Sequence, residues 1–134
     1  MIGKAQKTSQ PAAWGFTLVE LLVVMTIIAV LLTIAAPRYM RSIEDAREAT
    51  LKSSLAQMRE AIDQFNADQG QYPQSLKDLV ERRYLRSIPV DPITESAETW
   101  QFIPPSGEQE KNLIYDVKSG AQGVSRSGEP YDKW

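Results

Sequence analysis

The sequence predicts an α+β chain: one long N-terminal helix, with a membrane half and an amphipathic half, packed on a small C-terminal antiparallel β-sheet. Three observations predict it. Residues 16–36 read FTLVELLVVMTIIAVLLTIAA, with no charge from Leu21 to Ala36. Leu51, Leu55, Met58, Ile62 and Phe65 then recur at offsets of four, three, four and three, the spacing of one helix face. Thr99–Ile103 and Leu113–Val117 alternate well enough to form two short strands.

Composition narrows the function classes. A chain of 134 residues accommodates one small domain plus an extra element. The formal net charge of -2 does not suggest nucleic-acid binding. There is no cysteine, so a disulfide framework and a Cys-based metal site are excluded. There is no histidine, which removes the commonest general base and metal ligand. The glycines are scattered and form no phosphate-cradling loop. Each of these absences argues against an enzyme.

The elements follow in order. Residues 1–15 are a short basic leader whose only charged side chains are Lys4 and Lys7; Pro11 and Gly15 argue against a continuous helix there. Residues 16–37 form a transmembrane helix. An apolar run of about 20 residues crosses the roughly 30 Å hydrocarbon core, and a head this small cannot hide it. Thr17, Thr26 and Thr33 are cheap in such a helix because their hydroxyls return to backbone carbonyls. Pro37 has no N–H for the Thr33 carbonyl, so a kink or local unwinding is expected there.

Residues 38–134 form the soluble head. Within it, 38–69 is the amphipathic helix, and 70–134 holds loops, a short helix and the small sheet. Ile43 joins the stripe described above, on which the two strands pack. Glu48 and Lys52 suit an i, i+4 pair on the wet face, and the charges from Glu44 to Lys52 read as a solvated face or as partners for neighbouring subunits. Gly70 stops the helix. Ser75-Leu76-Lys77-Asp78 has the pattern of a capping box opening a short helix through Val80. Ile88-Pro89-Val90-Asp91-Pro92 cannot be regular helix. Pro104-Pro105-Ser106-Gly107 lies between the strands, and the segment from Ser119 is irregular, with Tyr131 and Trp134 available to pin it.

The residues that carry function are Gly15-Phe16-Thr17-Leu18-Val19-Glu20. A carboxylate in a membrane segment is costly, about 2.5–3.5 kcal/mol at the helix centre and less near the interface. Such a group needs a cation. A cut after Gly15 would give Phe16 an α-ammonium one turn away, and the ammonium of one subunit could meet Glu20 of the next. Desolvated charge pairs set register more reliably than they add stability.

These residues resemble the prepilin signature of the type IV pilin-like family: a basic leader ending in Gly, then Phe-Thr-Leu-x-Glu and an aliphatic run. The resemblance implies a pilin-like fold, cleavage after Gly15 by a prepilin peptidase that also N-methylates Phe16, an assembly role for Glu20 and a helix kink at Pro37. It also implies a single-pass protein of the bacterial inner membrane, leader in the cytoplasm and head in the periplasm. The implied partners are further copies of itself in a homopolymeric filament, minor pseudopilins, the inner-membrane assembly platform and lipid. Charge alone does not orient the span, since Lys4 and Lys7 are balanced by Arg38, Arg41 and Arg47.

The head is similar to the major, G-type pseudopilins of type II secretion. The similarity lies in Gly70-Gln71-Tyr72-Pro73, in Leu85 followed by Ile88-Pro89-Val90-Asp91-Pro92, and in Ile114-Tyr115-Asp116-Val117-Lys118-Ser119-Gly120. It implies a periplasmic pseudopilus that drives protein export across the outer membrane. That branch typically binds calcium in the loop after the last strand. Here Gln122 and Arg126 stand where acids would be welcome, leaving Asp116, Glu129 and Asp132 with backbone carbonyls as candidates for a weak site. The alternative is that Arg126 pairs with an acid and replaces the ion.

Rival readings differ on stated features. A secretory signal would end near Thr33-Ile34-Ala35-Ala36, but Pro37 follows at once and Glu20 interrupts the apolar region. A plain anchor, or an anchored adaptor that never polymerises, leaves Glu20 unexplained. An adhesion or twitching pilin shares the N-terminal half, although many such pilins carry a C-terminal cysteine pair. A tethered enzyme has only Asp63 and Asp68, or Asp78 and Glu81, at ordinary helix-surface spacing.

Overall fold

The computed structural model describes residues 3–6 and 14–134; Lys7 and Pro11 of the leader lie outside the described residues. The chain divides into two compact units, Met1–Tyr39 and Met40–Trp134. Helix α1 runs Leu18–Gln69 and α2 runs Leu76–Glu81. Strands β1, Gln101–Ile103, and β2, Asp116–Lys118, form a two-stranded antiparallel sheet. Short 3-10 turns occupy Glu108–Glu110 and Tyr131–Lys133. The α+β class read from the sequence is the class observed.

In the first unit, α1 carries no charge from Leu21 to Ala36 and is uncovered. The large hydrophobic side chains from Phe16 to Ile34 are all exposed, none below 45%. Thr26 and Thr33 return their hydroxyls to the carbonyls of Leu22 (2.7 Å) and Ala29 (2.8 Å), as their placement in an apolar helix requires. Pro37 lies inside α1, and the helix continues past it without unwinding.

In the second unit, the core is built on the predicted stripe. Leu51, Leu55, Met58, Ile62 and Phe65 are buried, together with Ser54 and Ala61 between them. They pack with Leu76, Leu79, Trp100, Ile114, Val117, Ala121 and Tyr131. Ile43 is only partly buried, so the packed face begins at Leu51. Helix α1 stops before Gly70, whose φ of 73° is the left-handed conformation favoured just past a helix C-terminus. The capping box on α2 is formed: Asp78 N donates to Ser75 Oγ (3.3 Å) and Ser75 N donates to Asp78 Oδ2 (3.2 Å).

The strands are shorter than expected, and β2 lies further along the chain. The register pairs Gln101 with Lys118, Phe102 with Val117 and Ile103 with Asp116. Leu113 N closes the preceding 3-10 turn on Glu110 O (2.9 Å), and Ile114 N donates to Pro73 O (2.8 Å). Those amides are engaged elsewhere, so cross-strand bonding starts only at Tyr115 N, on Ile103 O (2.8 Å). Alternation marked the strand-forming segment but not which amides had other partners.

Gly120, just after β2, packs against the backbone before β1. A Cβ there would lie 2.0 Å from Thr99 O, and a backbone carbonyl cannot swing away. Gly120→Ala is therefore expected to destabilise the head by about 3 kcal/mol, the upper end for overpacking. Thermal unfolding followed by tryptophan fluorescence checks this, and an unchanged midpoint would contradict the close approach.

Candidate functional site

The N-terminus of α1 is a capping box, which the sequence expectations above do not include. Thr17 precedes the first helical residue, and its Oγ1 accepts from Glu20 N (3.2 Å). Its own amide donates to Glu20 Oε2 (3.1 Å). Thr17-Leu18-Val19-Glu20 has the same Ser/Thr-x-x-acid spacing used to find α2, so the signal was present. The consequence is electrostatic. A helix N-terminus carries positive partial charge and unpartnered N–H groups. Glu20 answers both, which lowers the cost of carrying its charge beside an apolar run.

Around this box the chain is open. Trp14 and Phe16 are almost fully exposed, and nothing lies within 4 Å of a Cβ built on Gly15. Gly15, Phe16 and Glu20 thus sit together at the exposed head of the only helix, among the described residues, that is long and apolar enough to cross a membrane.

The second cluster of polar side chains lies in the head, where the loop after β2 returns to α1. Arg126 pairs through Nη1 with Asp45, and its backbone N donates to Glu48 Oε1 (2.8 Å). Tyr131 OH donates to the same Glu48 oxygen (3.1 Å). Burial, then the bond to Glu48, holds the Tyr131 hydroxyl above its usual pKa. Lys52 stands over the Trp134 ring, 4.5 Å from its centre. The expected Glu48–Lys52 pair is therefore not formed, because both side chains face the folded-back C-terminal segment. Arg47 pairs with Glu95 at 3.7 Å. Asp45, Arg47, Glu48 and Lys52 thus each meet a group within the chain, while the side chains of Asp45, Arg47 and Lys52 remain exposed.

The calcium candidates do not converge. Asp116 Oδ1 accepts from Arg59 Nε (2.8 Å), and the same guanidinium donates to Val117 O (3.1 Å) and Trp134 O (2.8 Å). Glu129 and Asp132 are exposed. Among the described residues, no three acidic, histidine or cysteine side chains come close enough to hold a metal. Two of the four helix acids have structural work: Asp78 caps α2, and Asp68 accepts from Tyr84 OH (2.8 Å).

Comparison with known proteins agrees with this geometry. Residues 15–36 match the prokaryotic N-terminal methylation motif, the stretch holding Gly15, Phe16 and Glu20. The chain is 32% identical to the type II secretion system core protein G of Pectobacterium carotovorum subsp. carotovorum, over 90% of this chain and 83% of the relative. The chain belongs to the type II secretion system core protein G family. Core proteins G of Klebsiella pneumoniae and Pseudomonas aeruginosa are 29% and 26% identical, each over 90% of this chain and 93% and 94% of the relative. No solved structure matches the chain. As a core protein G with a methylation motif and an exposed apolar helix, the chain is a pseudopilus subunit of a type II secretion system. The relatives' names denote a secretion-system component and no reaction.

Proposed function

We propose that this core protein G spans the bacterial inner membrane once, with leader residues 1–15 in the cytoplasm and the head, residues 38–134, in the periplasm. A prepilin peptidase cuts after Gly15 and methylates the new α-amine of Phe16. The assembly platform then draws the 16–37 helix from lipid into a homopolymeric periplasmic filament, where contacts with like helices and with minor pseudopilins replace lipid. Growth of the filament drives export across the outer membrane.

One observation carries this reading: an uncovered, uncharged helix stretch that begins behind a single carboxylate, Glu20. In the filament, Glu20 receives the Phe16 ammonium of a neighbour and so fixes the axial step. Intact mass of the membrane-extracted protein tests the processing step. The native chain is expected to begin at Phe16, with or without one methyl. Gly15→Phe is expected to keep all fifteen leader residues, because a peptidase site shaped for glycine has no room for the ring. A variant with the native mature mass would contradict it.

A further inference from the structure

Resemblance to the G-type branch implies a calcium ion in the loop after β2, and the residues present do not fit one. Calcium takes six to eight oxygens, usually with more than one carboxylate. Asp116 is bound to Arg59, and no three acids converge among the described residues. What the loop holds instead is a cation of its own. Ser125 N donates to Glu129 O (2.7 Å) and Gly128 N to Ser125 O (2.9 Å), a tight turn that carries Arg126. Opposite it on α1 stand Glu44, Asp45 and Glu48. Like charges at i, i+4, as in Glu44 and Glu48, repel. Arg126 lies in the field of all three: the bond and charge of Asp45, then Glu44 and Glu48, raise its pKa.

We propose that Arg126 is a built-in counter-cation that fastens the 120–134 loop to α1 through Asp45 and Glu48, so that the head folds without a divalent metal. A single exposed ion pair contributes little. Here the side chain and the backbone amide of one residue reach two carboxylates a turn apart, and Tyr131 OH joins on the second. The loop that a bound metal would organise from within is organised from outside, by the acids of the helix.

The test is thermal unfolding of the detergent-solubilised full chain, with calcium titration by calorimetry. It reads folding and metal binding, so its outcome is independent of whether the chain polymerises. The native chain is expected to melt at the same temperature in millimolar calcium and in excess EDTA, and to show no saturable calcium heat. Arg126→Gln is expected to lower the midpoint by a few degrees. Adding Asp45→Asn to that variant should lower it by less than Asp45→Asn does in the native chain, because the pair acts as a unit. An EDTA-sensitive midpoint or saturable calcium binding in the native chain would overturn the proposal, and neither measurement depends on a variant folding. An unchanged midpoint in Arg126→Gln would overturn it equally.

Discussion

Glu20→Val is expected to abolish filaments while leaving membrane insertion intact. Insertion should survive because the change removes a group that costs about 2.5–3.5 kcal/mol at the centre of a membrane helix and less near its end. The variant also loses the bond from Thr17 N to Glu20. A lost cap costs about 0.5–2 kcal/mol, which frays one turn of a helix that lipid otherwise supports. What has no substitute is the charge. In the proposed assembly, losing it would leave the Phe16 ammonium of an arriving subunit unpaired in an apolar bundle.

Glu20→Gln separates the two roles. Glutamine keeps the capping-box acceptor but carries no charge, and it is expected to fail in assembly as valine does. Membrane fractionation reads insertion, and electron microscopy of overexpressing cells reads filaments. Normal filaments from the valine variant would remove the carboxylate from the mechanism. Filaments from glutamine alone would reassign it to capping.

The second large effect is expected at Asp91. Its side chain is fully buried. Oδ1 accepts from Ile93 N (2.8 Å) and Thr94 N (3.3 Å), and Oδ2 accepts from Ser119 Oγ. Ser119 Oγ in turn accepts from Ala121 N (3.0 Å). One carboxylate thereby closes the 91–96 turn and ties it to the segment leaving β2. Asp91→Ala leaves these donors without an acceptor, at about 1–3 kcal/mol for each group that water cannot reach. The whole stability of a small domain is about 5–15 kcal/mol. The variant head is expected to be largely unfolded or protease-sensitive at 37 °C, with the membrane helix still inserted. Limited proteolysis of membranes checks this. Native resistance would mean that water or a neighbouring group satisfies the turn without Asp91.

Much of the fold was legible because its signals are local. The apolar run, the stripe from Leu51 to Phe65, the stop at Gly70 and the box at Ser75 each lie within a few turns of sequence. The Thr17–Glu20 box is equally local, but an acid ahead of an apolar run draws attention as a charge in lipid before it does as a cap. In sequence, Asp91 is one residue of a proline-rich stretch that cannot be helix. Nothing adjacent to it indicated that Ser119 would become its partner.

By itself, the sequence determined the apolar span, the acid at a fixed offset behind a glycine, and the helix that carries the core. These depend on contiguous residues and on the solvent each prefers. Only the tertiary structure decided which charges meet. Arg59 reaches Asp116, Arg126 reaches Asp45 and Tyr131 reaches Glu48 across 57, 81 and 83 residues. A charged helix face presents the same pattern whether water, a metal-bound loop or an arginine covers it. The choice was made by the path of the chain after β2, which the packing of Val117, Ala121 and Tyr131 into the core fixes.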